Sequence, residues 1–571
     1  MSRARLTYNE EKNLFVFECP IYLNDIARAI PNRRWSPKHK AWLAPALRLN
    51  AQYFRKILIN VDHSPEAKAK IEEQESAKPI FRNGFPSWFK FKTEPWKFQR
   101  DRLNHLYGQR IGGLYMDPGT GKTKLWLDIV AALRAEGKID QALVNCPYSV
   151  FRDWKKGIEE HGALPMAVFE MDPKKQTQFD DWVTFRHDFK IMLVGTEAMS
   201  VGRAPDMVRR YLSVARTAWL LDEAHDYKSY KAARSTNVVQ MAPLAEYRHV
   251  ATGTEISHGP LDLFMQFEFL DPEIIGIGDF ISFRNRYAVM GGFQDKQIVG
   301  YQKIDELMEI VAPYVVTAKK TEVFPDLPPK VYSLREVKMA PEQEAMYKKF
   351  KKDVNIEVGD KTLSIDNILE RLLRLSEITS GYWSSEIPCP PDWPANQEWK
   401  PQYERHELPD PKLDEAVRLA ESNNLPTIIW TPYTYQLTRV VRVFRDKFGP
   451  DSVVEMHGGV DREARGAGID RFTNGGARFF IANQQTGGVG INLQRAQIEI
   501  FLANSYRFTH RVQSEDRAWR AGQKNRVTIY DIICGKTWDE RVLTNLQNKR
   551  DIADYVRERI SKGMPVLDIE G

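Results

Sequence analysis

The chain has 571 residues, with 82 lysine and arginine against 76 aspartate and glutamate residues and a formal net charge of +6. At ~150 residues per domain, this length predicts three or four domains with ample core. The charge is too small to identify a nucleic-acid partner, although local basic grooves would fit one. The four cysteines lie far apart without CxxC or Cys/His spacing, which argues against a zinc site and a disulfide framework.

The sequence also bears on where the protein works. It contains no run of 18 apolar residues, and its basic polar start lacks the apolar core of a signal peptide. We therefore expect a protein of the reducing cytosol with no membrane partner. It would be cytoplasmic in a prokaryotic or phage-infected cell, and nuclear in a eukaryotic one.

The first part of the chain predicts a small α+β domain over residues 1–62. Residues 14–17 are typical of a strand and residues 25–30 of a helix. A charged helix is predicted to begin after Ser64, with serine as N-cap and proline in the first turn. We assign residues 63–94 to this helix and a linker.

Two longer α/β series follow. From residue 95 to 325, apolar strands alternate with helical patterns, which predicts a parallel sheet with crossover helices. Residues 326–420 predict helices at 341–352 and 363–378, then a proline-rich stretch, and we assign them to a helical insertion and linker. A second series of strands starts at Thr427, so residues 421–571 form a second lobe.

Residues 116–123, Met-Asp-Pro-Gly-Thr-Gly-Lys-Thr, are typical of a loop that binds phosphate. Gly119 and Gly121 let backbone N–H groups approach a polyphosphate, Lys122 can reach its terminal oxygens, and the Thr123 hydroxyl can ligate magnesium. An apolar run before the loop predicts a strand and the run after it a helix, which is the context that such a loop requires. The strict pattern has glycine where this chain has Met116.

A second motif, Asp222-Glu223-Ala224-His225, ends the apolar run 217–221. Carboxylates at the carboxyl end of a strand lie where α/β sheets bind ligands. Asp222 would hold magnesium through water, and Glu223 would polarise an attacking water. The two motifs together predict hydrolysis of a nucleoside triphosphate.

The order of the motifs resembles that of helicase superfamily two and, in detail, of its SWI/SNF-type DNA translocases. The resemblance covers residues 95–560 and is most specific at Gly490-Ile491-Asn492-Leu493 and in the segment 513–523, Gln-Ser-Glu-Asp-Arg-Ala-Trp-Arg-Ala-Gly-Gln. Further matching segments are 96–99, 145–154, 195–197, 251–254, 456–465 and 327–330. The arginine pair that is usual before Leu-Pro-Pro-Lys is replaced here, within Thr317-Ala318-Lys319-Lys320.

This resemblance implies an α/β fold of two RecA-like parallel-sheet lobes, with ATP and magnesium as cofactors and DNA as partner. Arg517 and Arg520 are three apart on a predicted helix and would reach the γ-phosphate, where arginine fingers contribute roughly 10³–10⁵ in rate. The implied catalytic residues are Lys122, Asp222, Glu223, Arg517 and Arg520. The implied nucleotide-binding residues are Gln99, Gly119, Thr120, Gly121, Lys122, Thr123 and Gly490, with Thr123 and Asp222 as magnesium ligands. His225 and Gln513 are the implied coupling residues, and His225 would couple the nucleotide site to the interface between the lobes.

Short hydroxyl side chains are expected at the DNA, because they bind phosphates without reading bases. These are Thr196, Thr254 and Thr486. The stretch 33–42 adds basic residues and two tryptophans, a mixture that grips phosphates while stacking on unpaired bases. It resembles, over about 50 residues, the HARP element of annealing helicases, which would make Arg34 and Trp35 DNA contacts. The alternative is a small β domain whose tryptophans are core residues.

The sequence thus favours a monomeric, DNA-dependent ATPase that translocates on duplex DNA and remodels forked, branched or partly unwound structures by strand annealing, as in repair or at replication forks. One alternative is a strand-separating helicase that uses the same motor. Another is a nucleic-acid-binding scaffold switched by nucleotide, which the intact Glu223, Arg517 and Arg520 argue against. No additional carboxylate cluster indicates a nuclease, and the segments 490–493 and 513–523 disfavour an RNA helicase.

Overall fold

The computed structural model describes residues 4–30, 33–46, 48–57, 61–76, 84–185, 189–253, 259–291, 297–358, 365–390, 402–487, 491–548, 552, 555 and 559. The chain divides into two compact units, Met1–Val323 and Phe324–Gly571. The first unit holds a front domain (residues 4–76) and a first lobe (residues 84–323). The second unit is called the second lobe.

The front domain is a five-stranded sheet, ordered β3-β4-β2-β1-β5, with helices on it. Its elements are β1 Ala4–Asn9, β2 Leu14–Glu18, α1 Asn24–Ala29, β3 Arg34–Ser36, β4 Ala41–Pro45, α2 Arg48–Lys56, β5 Val61–His63 and α3 Pro65–Ser76. Phe15, Phe17 and Phe54 are fully buried in its core, as is Ala67 of α3. The domain therefore extends through α3, beyond the predicted end at residue 62.

The capped helix predicted after Ser64 is confirmed. The Ser64 hydroxyl accepts a hydrogen bond from the backbone N–H of Ala67 at 3.2 Å, and Pro65 is the first helical residue. A serine oxygen at this position satisfies one of the N–H groups that the first helical turn leaves unpaired. The cap fixes the point where the chain leaves β5.

The first lobe is built on a seven-stranded, all-parallel sheet with the order β14-β6-β11-β10-β7-β9-β8. Its elements are α4 Lys97–Leu106, β6 Ile111–Met116, α5 Lys122–Ala135, β7 Gln141–Cys146, α6 Phe151–His161, β8 Ala167–Glu170, α7 Gln176–Thr184, β9 Lys190–Gly195, α8 Ala204–Val214, β10 Thr217–Asp222, α9 Ala233–Met241, β11 Tyr247–Thr252, α10 Leu263–Leu270, α11 Pro272–Ile275, α12 Phe280–Tyr287, β12 Ala288–Gly291, β13 Gln297–Tyr301, α13 Ile304–Val311, β14 Val315–Ala318 and α14 Lys320–Val323. Its inner strands are buried along their length, as sheets covered on both faces require. The predicted parallel sheet is confirmed.

Residues 84–96 differ from the linker that their sequence predicts. Phe85 stacks on Phe91 with ring centroids 5.4 Å apart and meets the Tyr107 ring edge-on at 4.9 Å. The backbone N–H of Phe85 also donates to Asn104 Oδ1 at 2.7 Å. Aromatic burial of this kind holds the segment on the lobe, which places Trp96 at the start of α4.

The second lobe contains a six-stranded parallel sheet ordered β15-β22-β21-β18-β20-β19. Its elements are β15 Lys330–Val337, α15 Pro341–Val358, α16 Ile365–Thr379, β16 Tyr382–Ile387, β17 Gln402–Glu407, α17 Pro411–Glu421, β18 Thr427–Thr431, α18 Thr434–Phe448, β19 Val453–Met456, α19 Arg462–Thr473, β20 Phe479–Asn483, α20 Gln484–Gly487, β21 Ile498–Phe501, α21 Phe508–Glu515, β22 Val527–Cys534 and α22 Trp538–Gln547. The edge strand β15 comes from residues assigned above to the helical insertion. The lobe's sheet therefore begins almost 100 residues before Thr427 in the chain.

The helical insertion packs onto this lobe. The Trp538 indole of α22 donates to the Tyr506 hydroxyl at 2.9 Å, and the Trp538 N–H donates to the Tyr347 hydroxyl of α15 at 2.8 Å. Lys412, fully buried, pairs with Asp539 at 2.9 Å. A buried charge is stable only when it is paired in this way, so α15, α17 and α22 are held together in the second lobe.

Within the described residues, none of the helices combines the length and the apolar character that a membrane crossing needs.

Candidate nucleotide site

The phosphate loop lies between β6 and α5, as its sequence predicts. Gly119 has φ +83° and Gly121 has φ +87°, left-handed conformations that favour glycine. Gly121 is the N-cap of α5, so the unpaired N–H groups of the first helical turn point into the loop, where they favour an anion. The Thr120 hydroxyl closes the loop from inside by donating to the Asp117 carbonyl at 2.7 Å.

Met116, the departure from the strict pattern, has a structural explanation. Met116 is the last residue of β6, and its side chain is buried in the lobe. Its carbonyl accepts a hydrogen bond from Lys122 Nζ at 2.8 Å. Because an extended residue at a strand end needs no positive φ, a glycine is not required here, and the lysine is held at the mouth of the loop.

Gln99 is predicted to contact the nucleotide base, and the structure gives it a different environment. Its side chain is almost fully buried, with Nε2 donating to the Thr120 carbonyl at 3.0 Å and Oε1 accepting from the Trp96 N–H at 3.0 Å. Both ends of the amide are therefore occupied by protein backbone. Gln99 braces the phosphate loop from behind, and base reading stays a prediction.

The acidic motif lies two strands away on the same edge of the sheet, since β11 alone separates β10 from β6. Asp222 ends β10, and its Oδ2 accepts from the Trp154 indole at 3.0 Å. Burial, followed by the neighbouring charge of Glu223, raises the pKa of Asp222 to about 6, while the charge of Lys122 opposes that rise. The charge of Lys122 therefore acts on Asp222 from the neighbouring loop.

Glu223 sits in a strained backbone conformation, with φ +51°, which is uncommon for a residue other than glycine. Its N–H donates to Asp222 Oδ1 at 3.0 Å, which stabilises this turn out of the strand. Strained residues of this type concentrate at functional sites. The two carboxylates of the motif have different neighbours, since Asp222 bonds to the Trp154 indole and Glu223 lies against His225.

His225 lies against Glu223, with Nδ1 3.4 Å from Oε2, and its Nε2 is 3.8 Å from Asp226 Oδ1. Burial lowers the pKa of His225, but the hydrogen bond and charge of Glu223 with the charge of Asp226 outweigh it and raise the pKa above its ordinary value. The protonated imidazole is thus stabilised mainly by Glu223, and the coupling role of His225 stays a prediction.

The end of β11 also reaches the phosphate loop. A β-carbon on Gly253 would lie 2.9 Å from the Pro118 ring, so only a glycine leaves room for this approach. Thr254, the predicted phosphate contact in this motif, lies outside the described residues, as does Gly490 in the second lobe. Thr486 belongs to α20, but its side chain is likewise outside the described part of the chain.

The predicted arginines differ from expectation in local structure. Helix α21 ends at Glu515, and Arg517 and Arg520 lie in the turns that follow it rather than on a helix. The N–H of Arg517 bonds to the Ser514 carbonyl at 3.0 Å, which tightens the last turn. Both guanidinium groups still converge, because Arg517 Nη1 and Arg520 Nη1 donate to the carbonyl of Ile491 at 3.3 and 3.2 Å. Gln513 contributes its own carbonyl to Arg517 at 2.8 Å.

A buried ionic network behind these arginines was missed by sequence reasoning. Glu515 accepts from Lys330 at 2.7 Å and from Arg511 at 2.6 Å, and Arg511 also pairs with Asp531. Burial opposes ionisation, but the charges of Lys330 and Arg511 lower the pKa of Glu515 to about 2. The only sequence signal was the Leu-Pro-Pro-Lys segment, whose lysine has no apparent partner in the linear sequence.

The predicted DNA contacts are found in different environments. Thr196 is buried, and its N–H donates to the Cys146 carbonyl at 3.1 Å, so its hydroxyl does not face solvent. Arg34 is exposed on β3, and Trp35 is 49% exposed while meeting the Trp42 ring edge-on at 5.3 Å. The alternative in which both tryptophans are core residues therefore does not hold for Trp35. None of these DNA contacts is tested by the structure, and they stay predictions.

Two family descriptions match the chain: the SNF2-related domain over residues 56–381 and the helicase conserved C-terminal domain over residues 411–522. The chain is 24% identical over 540 residues to the TATA-binding protein-associated factor MOT1 of Saccharomyces cerevisiae, a match that covers 83% of the chain and 28% of MOT1. It is 23% identical over 459 residues to the ISWI chromatin-remodeling complex ATPase CHR11 of Arabidopsis thaliana, covering 78% of the chain and 41% of the relative. The chain thus spans less than half the length of either relative.

A solved structure, the Sulfolobus solfataricus SWI2/SNF2 ATPase core in complex with dsDNA, matches with 21% sequence identity and a TM-score of 0.37. This match covers 85% of the chain and 96% of the solved chain.

Proposed function

This chain belongs to the SNF2-related family, and from that premise we propose that it is a DNA-dependent ATPase that translocates on duplex DNA and remodels forked or partly unwound structures, acting by strand annealing. The observation that carries the proposal is the site in the first lobe. There the phosphate loop, with Lys122, and the acidic motif at the end of β10 lie on one edge of a parallel sheet.

The residues of this site fit ATP and magnesium. The loop offers backbone N–H groups at Gly119 and Gly121 and the charge of Lys122, which suit a polyphosphate. Thr123 and Asp222 would hold magnesium, which supplies charge neutralisation at the phosphates when it is bound. The carboxylate of Asp222 and the hydroxyl of Thr123 are oxygen donors, the ligand type that magnesium prefers.

Each residue of the site then has a role. Lys122 would leave the Met116 carbonyl to bind the terminal phosphate oxygens. Glu223 would orient and polarise the attacking water from its strained turn, and His225 would hold Glu223 and sense its charge. In the second lobe, Arg517 and Arg520 converge on one carbonyl and would stabilise charge on the transferred phosphoryl group, as arginine fingers do.

The front domain supports the choice of forked DNA as substrate. The β3–β4 hairpin ends in an exposed turn, Pro37 to Lys40, in which Lys40 has φ +46°. Arg33 lies over the Trp42 ring at 5.7 Å, so this tryptophan is covered by a cation while Trp35 remains accessible. An accessible indole among cations can stack on a base only where that base is unpaired.

The test of the motor is ATP turnover measured with duplex, forked and single-stranded DNA and with RNA, side by side. We expect stimulation by duplex and forked DNA and little by RNA. Turnover that no nucleic acid stimulates would favour the nucleotide-switched scaffold, and turnover stimulated best by RNA would overturn the proposal.

The test of fork remodelling is annealing of a partly unwound plasmid by the full chain with Arg34→Ala and Trp35→Ala combined. Stacking contributes about 1–3 kcal/mol per base, so the preference for forked over plain duplex DNA should fall by about 5- to 160-fold, with duplex-stimulated turnover retained. Tyr22→Ala, which removes another exposed aromatic ring of the same domain (67% exposed), is the matched control. An unchanged preference would contradict a role of the hairpin, and separation of a forked duplex without annealing would favour the strand-separating helicase.

A further inference from the structure

The segment that joins the two lobes is bonded at its beginning to the phosphate loop. Asp117, in the loop, donates its N–H to the Ala318 carbonyl at 2.9 Å, and its Oδ2 accepts from the Lys320 N–H at 2.8 Å. The carbonyl of the same residue accepts from the Thr120 N–H and hydroxyl. Asp117 therefore belongs to two hydrogen-bonded systems at once, the closed turn of the loop and the end of β14.

Strand β14 itself is firmly placed beside the loop. It runs parallel to β6, with Ala318 opposite Met116, and Arg102 of α4 donates twice to the Thr317 carbonyl, at 3.1 and 2.9 Å. These contacts are made by backbone carbonyls, so they do not depend on the side chains of Thr317 and Ala318. Asp117 and Lys320 are thus linked by a short, direct hydrogen bond.

At its other end, the segment is bonded to the turn that carries the arginines. The Trp519 indole donates to the Pro328 carbonyl at 2.7 Å, and Lys330 lies over the Trp519 ring at 4.7 Å. Lys330 also pairs with Glu515 at 2.7 Å and approaches Asp516 at 3.7 Å. Asp516 and Trp519 directly precede Arg517 and Arg520 in the chain.

The residues between these two attachments form hydrogen bonds within the segment itself. The N–H groups of Glu322 and Val323 both bond to the Lys319 carbonyl at 3.0 Å, and the Leu327 N–H bonds to the Phe324 carbonyl at 3.1 Å. A coupling between distant sites needs a connected element with discrete arrangements. A short, internally bonded segment anchored at both ends meets the requirement of connection.

We propose that residues 318–330 form a tether that transmits the state of the phosphate loop to the Arg517–Arg520 turn, with Asp117 and Lys330 as its positioning residues. This inference rests on the proposed function, since it presumes that the loop binds ATP. Filling the loop moves Asp117, Asp117 moves Lys320, and the tether shifts Pro328 and Lys330 against Trp519 and Glu515. The arginine turn is then set only when nucleotide is present.

Amide hydrogen exchange on the full chain tests the tether, with and without magnesium and a non-hydrolysable ATP analogue. In the unaltered protein, the analogue should protect residues 116–125 and change the exchange of residues 516–520 by about two- to thirtyfold, the range of such couplings. Asp117→Ala should keep the first effect and lose the second. Asp140→Ala, which removes an aspartate paired with Arg216 elsewhere in the first lobe, should keep both.

Turnover provides a second readout. Asp117→Ala should lower the DNA-stimulated kcat about tenfold, within the range of such couplings, with little change in the KM for ATP. Asp117→Asn, whose amide oxygen can still accept from Lys320, should restore most of it. Tyr332→Phe removes one hydrogen bond to Glu515 from a largely exposed residue and tests the far end without burying an unpaired charge. Combined with Asp117→Ala, it should add no further loss.

The outcomes separate the tether from the proposed function. Persistence of the change at 516–520 in Asp117→Ala would overturn the tether while leaving the ATPase intact. Absence of protection at 116–125 in the unaltered protein would overturn nucleotide binding itself and the tether with it. A fall in kcat that Asp117→Asn fails to restore, accompanied by an equal loss of ATP affinity, would show that Asp117 only maintains the loop.

Discussion

The close fit of Gln99 against Gly121 makes a quantitative prediction about the phosphate loop. In Gly121→Ala the new β-carbon would overlap the Gln99 amide nitrogen, and the residue would also have to hold φ +87°. A left-handed conformation costs a residue with a β-carbon about 1–2 kcal/mol. Displacing the Gln99 amide breaks its two backbone hydrogen bonds, each contributing about 1 kcal/mol. The expected loss is about 3–4 kcal/mol.

A second glycine in the same lobe provides the control. Gly137 has φ +67°, and a β-carbon there would meet no atom within 4 Å, so Gly137→Ala carries the backbone cost alone. The measurement is urea unfolding of both variants, in which tryptophan fluorescence monitors the unfolding transition of the first lobe. Gly121→Ala should be less stable than Gly137→Ala by about 2 kcal/mol, the two hydrogen bonds, and should bind a fluorescent ATP analogue more weakly.

The double variant Gln99→Ala with Gly121→Ala separates the two causes. It removes the overlap but keeps the backbone strain, so the second substitution should cost less in the absence of Gln99 than in its presence. Equal stability of Gly121→Ala and Gly137→Ala would refute the reasoning. It would mean that Gln99 moves aside freely and does not brace the loop.

Three further predictions concern turnover and pH. Lys122→Ala should nearly abolish ATP hydrolysis with the fold retained, and Glu223→Gln should bind ATP without hydrolysing it. Ordinary ATP turnover with saturating DNA in either variant would contradict the role assigned to that residue. Arg520→Ala should lose at least about a hundredfold in DNA-stimulated turnover with ATP affinity nearly unchanged, whereas parallel losses of both would indicate a structural role. Burial lowers the pKa of His249 to about 4, below its unfolded value of about 6.5, so the folded protein resists a proton that the unfolded chain accepts. The free energy of unfolding of the first lobe should thus be highest above about pH 6.5 and fall by up to about 3 kcal/mol toward pH 4. His249→Gln should reduce this dependence on pH. Equal pH dependence in the two proteins, measured by urea unfolding at each pH, would contradict the prediction.

The local structure of the two candidate-site motifs could be predicted from the sequence because its signals are local. Gly119 and Gly121 are needed for a backbone conformation that their neighbours cannot relieve, and the apolar runs on either side select a strand and a helix directly. Asp222 and Glu223 follow a buried strand in the same way. Parallel order then places both motifs on one edge of the sheet, since all strands of such a sheet end on the same side.

Local periodicity also misled in identifiable places. The spacing of Arg517 and Arg520 fits a helix, yet α21 ends at Glu515, whose carboxylate is held by Lys330 and Arg511. The strand β15 has an exposed, mixed pattern typical of an edge, so its membership of the second sheet is decided by pairing with β22 rather than by its own residues. The sequence of residues 84–96 predicts a linker because the aromatic residues that hold this segment on the lobe have no helical or strand periodicity.

The sequence by itself therefore determined what chemistry the chain carries, because glycine conformations, strand ends and helix starts are set by neighbouring residues. The tertiary structure alone decided how that chemistry is held. Gln99 is hydrogen-bonded to Thr120, Asp117 to Lys320, and Lys330 to Glu515. These partners are brought together only by folding, and a hydrogen bond or ion pair between residues so far apart in the chain leaves no periodic trace in a single sequence.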